Sequence, residues 1–171
     1  MTETLDSALP PEVQDSAQRV LELACKRELT LATAESCTGG LLAALLTDIP
    51  GLSHAFERGF VLYSPQAKCD LLDIERGKVD SCGAVSREIA EAMARGALGR
   101  SPADVALSIT GYAGPPGKND EGEEGLVHFA CARKKGALAH REEHFGPIGR
   151  QGVRLAALAV ALEMIEEALE Q

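Results

Sequence analysis

The sequence predicts an α/β protein: a single three-layer α/β/α domain with a mixed sheet and an antiparallel hairpin near the C-terminal end. Its 171 residues are 45% hydrophobic but only 4% aromatic, which favours an aliphatic core of helices packed closely on a sheet. An apolar run at 29–34 passes through small polar residues and glycines into helix formers at 41–46, a pattern typical of strand, tight turn and helix. Residues 126–132 and 137–145 alternate in polarity around a Lys-Lys-Gly turn and predict the hairpin.

The first helices follow from periodicity and from helix-breaking residues. We expect a flexible tail over residues 1–10, followed by one domain that spans 11–171. Apolar residues recur at helical spacing up to about Glu28 and predict an amphipathic first helix. The helix after the first strand should stop near Asp48, because a Pro-Gly pair follows and cannot continue it.

A second strand at 59–63 leads into a helix for which Ser64 is the predicted N-cap and Pro65 the first residue. Tyr63 and Lys68 then occupy the two positions that meet across a helix start in a hydrophobic staple. A phenol and an amine side by side at the end of a strand could be functional groups of an active site. The commoner arrangement is an aromatic ring packed on the aliphatic stem of an exposed lysine.

The second half of the chain adds a helix, a strand and a long final helix. Ser86 is the predicted N-cap of a helix that Gly99 ends. A strand at 105–109 runs into the glycine-rich stretch 110–117, where the backbone can approach a ligand closely. The final helix begins at about Arg150 and carries a wide apolar stripe. This stripe covers either a face of the sheet or a subunit partner, so a homo-oligomer is possible.

Composition argues against several kinds of partner. The net charge is −9, and the one basic cluster, 133–135, lies at the predicted hairpin turn, so we predict no nucleic-acid and no membrane partner. Five scattered cysteines without a C-x-x-C pair predict neither a disulfide framework nor a zinc site. The first thirty residues show no export signal, and a cytoplasmic location is expected.

Three predicted strands end in polar or glycine-rich stretches, at 35–40, 63–68 and 110–117. Ligands of open α/β sheets bind beyond the carboxyl ends of the strands, so we expect these stretches to converge on one cleft. A nucleophile such as Ser36 would lie there beside free N–H groups of a helix start, which stabilise anions. A structural interpretation fits the first stretch equally well, with Ser36 or Thr38 merely capping the helix.

The base for such a nucleophile is the less obvious component. The four histidines occur in no motif spacing, so a Ser–His–Asp triad is not supported, whereas Ser36 activated by a neutral Lys68 is a known variant. A free lysine titrates near 10.4, so Lys68 must be buried for its pKa to approach neutrality. A thiol or redox role for Cys37 is a further alternative, although no resolving cysteine lies nearby in the sequence.

Three motifs resemble one known family. The string TAESCTGG at 33–40, then Tyr63 and Ser64 with Lys68 five residues beyond the tyrosine, then TGYAGP at 110–115, are similar to the CinA C-terminal domain family. The resemblance implies a nicotinamide-mononucleotide (NMN) amidohydrolase that needs no metal and no cofactor. Such an enzyme hydrolyses the carboxamide of NMN to nicotinate mononucleotide and ammonia, a salvage step that feeds NAD synthesis.

The resemblance also implies residue roles. Ser36 would be the nucleophile, Lys68 the base and Tyr63 its partner in proton transfer. The implied substrate-binding residues are Glu35, Cys37, Thr38, Gly39, Thr110, Gly111 and Arg150. The stretch 146–150 reads GPIGR where the family commonly has Gly-Asp-Arg, which weakens the inference for Arg150. The alternative is a catalytically silent nucleotide-binding or interaction module of the same fold.

Overall fold

A computed structural model describes residues 9–118 and 120–171 of the chain. Five strands and six α-helices occur in these residues, with a 3₁₀ turn at Ser53–Ala55. In chain order they are α1 (Pro11–Lys26), β1 (Leu31–Glu35), α2 (Leu41–Asp48), β2 (Phe56–Val61), α3 (Pro65–Leu72), α4 (Arg76–Cys82), α5 (Arg87–Gly99), β3 (Val105–Gly111), β4 (Leu126–Arg133), β5 (Leu138–His144) and α6 (Gly149–Glu170).

The strands form one mixed sheet in the order β2-β1-β3-β4-β5. β1 pairs in parallel with β2 and β3, whereas β3, β4 and β5 pair antiparallel, which confirms the predicted mixed sheet and hairpin. In this register Glu35, the last residue of β1, lies between Val61 of β2 and Ile109 of β3. The carboxyl ends of the three parallel strands therefore meet at one edge of the sheet.

Helices cover both faces of the sheet, as the three-layer prediction requires. Helices α1, α2 and α6 pack on one face, and α3, α4 and α5 pack on the other. The first face carries large aliphatic side chains such as Leu107, and the second carries mostly alanines, among them Ala34 and Ala106. Small side chains let α5 approach the sheet closely, while each fully buried leucine on the first face contributes roughly 2 kcal/mol.

The helix starts show which local signals decided the structure. The Ser64 hydroxyl accepts the Ala67 N–H at 3.0 Å, and the Ser86 hydroxyl accepts the Ile89 N–H at 3.3 Å. Both predicted N-caps are confirmed. The strand between the first two motifs was predicted less well: β2 begins at Phe56, three residues earlier than expected, and ends at Val61, before the turn into α3.

The two chain ends refine the expected boundaries. Of the predicted tail 1–10, residues 1–8 lie outside the described residues, while Leu9 is buried in the core and Pro10 precedes α1. The apolar stripe of α6 packs on the sheet and on α1, the first of the two surfaces left open for it. None of the described helices has the length and apolar character needed to span a bilayer.

Candidate functional site

A cavity of about 310 Å³ lies at the edge where the parallel strands end, at the small end of the range for ligand pockets, roughly 300–1,000 Å³. Its wall is formed by the turn after β1, the start of α3, the loop before α5 and the loop 110–117. All three stretches that were expected to converge contribute to it. A larger groove, about 560 Å³, lies between α3, α4 and α5, but no serine, cysteine or histidine is among its described lining residues.

The centre of the cavity wall is a buried serine–lysine pair. Lys68 Nζ lies 3.0 Å from Ser36 Oγ and donates a second hydrogen bond, 2.9 Å long, to the Leu62 carbonyl. Lys68 is 1% exposed and Ser36 is 7% exposed. Successive side chains of a strand point to opposite faces of the sheet. Glu35, at the end of β1, therefore points to the face covered by α2, and Ser36 points to the face covered by α3, where it contacts Lys68.

Burial changes the acidity of the lysine. Removal from water disfavours the ammonium form and lowers the pKa of Lys68 from 10.5 to about 8, and the nearby Cys37 and Cys69 thiols oppose this effect only weakly. About one molecule in ten then carries a neutral amine at pH 7. In that form the amine can keep its hydrogen bond to the Leu62 carbonyl and accept one from the Ser36 hydroxyl, 3.0 Å away. The pair can therefore act as nucleophile and base.

The neighbouring thiol is poorly suited to be the nucleophile. Cys37 is buried in the cavity wall, and burial raises the pKa of its thiol to about 12. A thiol with this pKa stays protonated at neutral pH, and the thiolate is the reactive form. The structure thus favours Ser36 over Cys37 for nucleophilic attack.

Glu35 holds the start of α2 rather than facing the cavity. Its carboxylate accepts the N–H groups of Gly40 at 3.1 Å, Leu42 at 3.1 Å and Ala43 at 2.8 Å, and the residue is fully buried. Glu35 therefore caps α2 in place of Ser36 or Thr38, the caps that were predicted. Both oxygens of its carboxylate accept backbone N–H groups, so the expected contact of Glu35 with the substrate is wrong. A carboxylate at a helix N-terminus also interacts favourably with the helix dipole.

The three residues after Cys37 form the tight part of the turn. Gly39 and the N-cap residue Gly40 have φ angles of +63° and +93°, which non-glycine residues rarely adopt. The Thr38 hydroxyl is buried without a hydrogen-bond partner in the part of the chain that the structure describes. Thr38 and Gly39, both expected to bind substrate through the resemblance, shape the turn and contribute no side chain to the cavity wall.

Tyr63 lies at the mouth of the cavity. It lines the cavity but is 69% exposed, and its hydroxyl makes no hydrogen bond within residues 9–118 and 120–171. The Lys68 amine bonds to Ser36 and to the Leu62 carbonyl instead, so the expected pairing of phenol and amine is not formed in this state. The reason is that β2 ends two residues before Tyr63, which leaves the side chain outside the sheet.

The other expected binding residues lie on the opposite wall. The Thr110 hydroxyl donates to the Ala84 carbonyl at 2.8 Å and so fixes the loop before α5 against β3. Gly111 is required by packing, since a Cβ there would lie 2.6 Å from the Leu126 carbonyl. Arg150, at the start of α6, is exposed and crosses Gly114, where a Cβ would lie 2.8 Å from the guanidinium. All three residues line the cavity.

Sequence reasoning missed a second arginine. Arg154 lies one helical turn after Arg150, and its Nε donates to the Cys37 carbonyl at 2.8 Å. The i, i+4 spacing of two arginines at the start of α6 was a signal that could have been found. As for metals, the described residues contain no group of three or more histidine, cysteine or acidic side chains able to hold an ion.

The fold and this geometry define an open α/β protein with a buried serine–lysine site at the carboxyl ends of its parallel strands. The chain belongs to the CinA C-terminal domain family, whose pattern matches residues 13–169. This confirms the resemblance noted from the motifs.

Curated relatives and solved structures agree with that assignment. The chain is 45% identical over 159 residues to a "putative competence-damage inducible protein" of Symbiobacterium thermophilum, covering 89% of this chain, and 41% identical over 157 residues to a "CinA-like protein" of Chlorobium limicola, covering 88%. It spans only 37% of the length of either relative. The crystal structure of the competence/damage inducible protein CihA from Agrobacterium tumefaciens is 44% identical, with a TM-score of 0.90 and coverage of 95% of this chain and 98% of that one. A competence damage-inducible protein from Klebsiella pneumoniae, at 31% identity, has a TM-score of 0.86 and coverage of 93% and 98%.

Proposed function

We propose that this domain hydrolyses the carboxamide of NMN to nicotinate mononucleotide and ammonia by a serine–lysine mechanism, as a step of pyridine-nucleotide salvage in the cytoplasm. The observation that carries the proposal is the buried Lys68 amine, 3.0 Å from the Ser36 hydroxyl, with its pKa lowered to about 8. Family membership supports the choice of substrate, since the motifs that resemble the family's amidohydrolases include both residues.

In the first half-reaction the neutral Lys68 amine accepts the hydroxyl proton while Ser36 Oγ attacks the carboxamide carbon. The negative charge that develops on the carboxamide oxygen needs donors, and the N–H groups of Cys37 and Thr38 in the turn have no acceptor in another described residue. The Lys68 ammonium then gives its proton to the amide nitrogen. Ammonia leaves, and the nicotinoyl group remains on Ser36 as an ester.

In the second half-reaction a water molecule attacks this ester. Lys68 is neutral again once ammonia has left, so it can take the proton of the attacking water and later return a proton to Ser36 Oγ. Nicotinate mononucleotide is released, and the pair regains its starting state. One residue thus serves as base and acid in turn, which requires a pKa not far from the working pH.

The rim of the cavity would hold the rest of the substrate. Arg150 is the cation of the rim and would bind the phosphate, together with N–H groups of the loop 110–117. Tyr63 would close over the nicotinamide and assist proton transfer, which requires its exposed side chain to move inward from the position observed. Asp120 also lines the cavity, and it accepts the Gly117 N–H at 2.9 Å.

The test is ammonia release from NMN by purified protein, compared with Ser36→Ala and Cys37→Ser. Loss of the nucleophile should abolish turnover, since removal of a serine nucleophile costs about 10⁶-fold in kcat in a well-studied hydrolase. Cys37→Ser is the matched control next to it and should keep most of the activity. Wild-type protein that binds NMN without releasing ammonia would instead identify a silent nucleotide-binding module, and the reverse pattern of the two variants would exclude the serine mechanism.

A further inference from the structure

Arg154 approaches the nucleophile-bearing turn from the other side of the sheet. It lies on α6, 117 residues beyond Cys37, and its Nε donates to the Cys37 carbonyl at 2.8 Å. Its guanidinium extends along the turn, because a Cβ at Gly39 would lie 3.7 Å from Nη2. No carboxylate among the described residues forms an ion pair with Arg154. The hydrogen-bond acceptor of Arg154 within the described residues is thus a main-chain carbonyl of the turn.

Most backbone N–H groups of this turn are already engaged. Ser36 donates to the Ile109 carbonyl at 2.9 Å, and Gly39 donates to the Ser36 carbonyl at 3.1 Å. Glu35 holds the first N–H groups of the helix. The N–H groups of Cys37 and Thr38 find no acceptor in another residue of the described chain. Because the Cys37 N–H also contacts the thiol of its own residue, the Thr38 N–H is the donor left for a ligand.

The peptide group between Cys37 and Thr38 therefore has a fixed direction. Every described peptide bond is trans, so the Cys37 carbonyl and the Thr38 N–H point in opposite directions. Because Arg154, on α6, holds the carbonyl, the Thr38 N–H is directed away from the guanidinium. A cationic donor on the carbonyl also polarises the peptide and strengthens its N–H as a donor.

We infer that Arg154 is a positioning residue of the reaction, which orients and polarises the Cys37–Thr38 peptide so that the Thr38 N–H stabilises the oxyanion formed when Ser36 attacks. The inference rests on the proposed function for its substrate, but only the serine attack is needed for its test. The same contact links α6 to the turn, so a purely structural role is the alternative that the experiment must separate.

The first measurement compares kinetics of wild-type protein with Arg154→Met and Arg154→Lys. Loss of the cation should lower kcat by about 10-fold or more and leave KM within about 2-fold, because the contact matters for the transition state and not for bound substrate. Arg154→Lys, which keeps a cationic donor, should recover much of kcat. An aldehyde analogue of NMN, which forms an oxyanion on Ser36, should lose affinity in Arg154→Met, whereas affinity for nicotinate mononucleotide should not change.

The second measurement does not depend on NMN as substrate. A fluorophosphonate probe labels an activated serine: Ser36 Oγ bonds to phosphorus, fluoride leaves and Lys68 takes the hydroxyl proton. Intact-mass kinetics should show slower labelling of Arg154→Met by about 10-fold, with Arg95→Met, an arginine on α5 remote from the turn, labelling at the wild-type rate. Labelling without ammonia release from NMN would reject the proposed function while still testing Arg154.

Three outcomes would overturn the inference. These are equal labelling rates for wild type and Arg154→Met, a change confined to KM, and a wild-type protein that is not labelled at Ser36. If Arg154→Met does not fold, as judged by circular dichroism, Arg154→Gln replaces it, since a neutral amide can still donate to the Cys37 carbonyl. Arg154→Gln should be labelled more slowly than wild type but by less than the 10-fold expected for Arg154→Met. Labelling at the wild-type rate would contradict the proposed role of the charge.

Discussion

The inner wall and the rim of the cavity differ in how firmly their side chains are held. On the inner wall, Lys68 is 1% exposed and bonded to both Ser36 and the Leu62 carbonyl. On the rim, Tyr63 is 69% exposed, and Arg150 is exposed at the start of α6. The inner wall is thus set before any ligand arrives, whereas the rim keeps the freedom to adjust to one. A side chain whose pKa is shifted by burial can therefore lie only on the inner wall.

That burial has an energetic cost. Lowering the pKa of Lys68 from 10.5 to about 8 corresponds to about 3 kcal/mol of disfavoured charge in the folded state. A cost of this size is a large part of the net stability of an ordinary domain, about 5–15 kcal/mol. The exposed rim carries no comparable cost, since its charged groups remain hydrated. The predictions below use this contrast, beginning with the largest expected effect.

Of the predictions that compare inner wall and rim, Lys68→Arg should give the largest effect. An arginine keeps the positive charge but cannot deprotonate, so turnover should fall as far as in Lys68→Ala, by about 10²–10⁴-fold. Wild-type kcat/KM should rise tenfold per pH unit and level off near pH 8, because the neutral amine is the active form and its pKa is about 8. Steady-state assays of ammonia release between pH 6 and 9.5 measure both quantities.

Substantial turnover by Lys68→Arg would contradict a role of Lys68 as base, because a positive charge at this position would then be enough for activity. So would a wild-type profile that is flat through pH 8. Lys78→Arg, on the exposed surface of α4, is the matched control and should behave as wild type at every pH.

The second effect concerns stability. Between pH 8 and 10.5 the unfolded chain keeps a proton on Lys68 that the folded chain has lost, so the unfolding free energy should rise with pH. Relative to Lys68→Met, the wild type should gain about 3 kcal/mol over this range, most of it by pH 10. Below pH 8 both states carry the charge, and the difference should not depend on pH. Urea denaturation at several pH values measures it.

The variant pair cancels titrations remote from Lys68, including that of the buried thiol Cys131, whose raised pKa destabilises both proteins alike at high pH. A difference that stays constant from pH 7 to 10 would show that the folded protein does not depress the pKa of Lys68. Lys78→Met should show no such rise, because Lys78 is exposed.

The smallest effect is expected at the rim. If Arg150 binds the substrate phosphate, nicotinamide riboside should be a much poorer substrate than NMN. Arg150→Gln should lower kcat/KM for NMN by about 10-fold or more and leave the riboside unaffected, since only the phosphate ester loses a charged hydrogen bond. Competition assays with both substrates measure this double difference.

Equal turnover of NMN and the riboside by wild-type protein would show that the phosphate is not recognised. An equal loss for both substrates in Arg150→Gln would give the arginine a structural role, for example through its contact with Gly114. Either result would remove the rim from the substrate site and leave the inner wall intact.

Much of the fold was accessible from local patterns. The caps at Ser64 and Ser86 were predicted from residue type and position and are confirmed, since an N-cap depends on hydrogen bonds within four residues. Helix α2 also ends at Asp48 as expected. The bounds of β2 were wrong by two to three residues, because strand ends depend on the neighbouring strand and not on the strand's own sequence.

The candidate site was predictable only in part. Burial of Lys68 beside Ser36 was predicted from the chemistry that a base requires, and the structure places them 3.0 Å apart. Glu35 was assigned to the substrate through the family resemblance, yet its oxygens hold the helix start. Arg154 was not identified at all, since its partner lies 117 residues earlier in the chain.

The sequence by itself determined the α/β class, the caps at Ser64 and Ser86 and the family, because periodicity, capping and motifs are properties of neighbouring residues. Tertiary structure decided what each polar group of the turn contacts. Alternation along β1 sends Glu35 to one face and Ser36 to the other, but only the packed layers show that α2 meets the first and Lys68 the second. The lowered pKa of that lysine likewise arises from burial, which depends on how the layers pack and cannot be derived from local sequence.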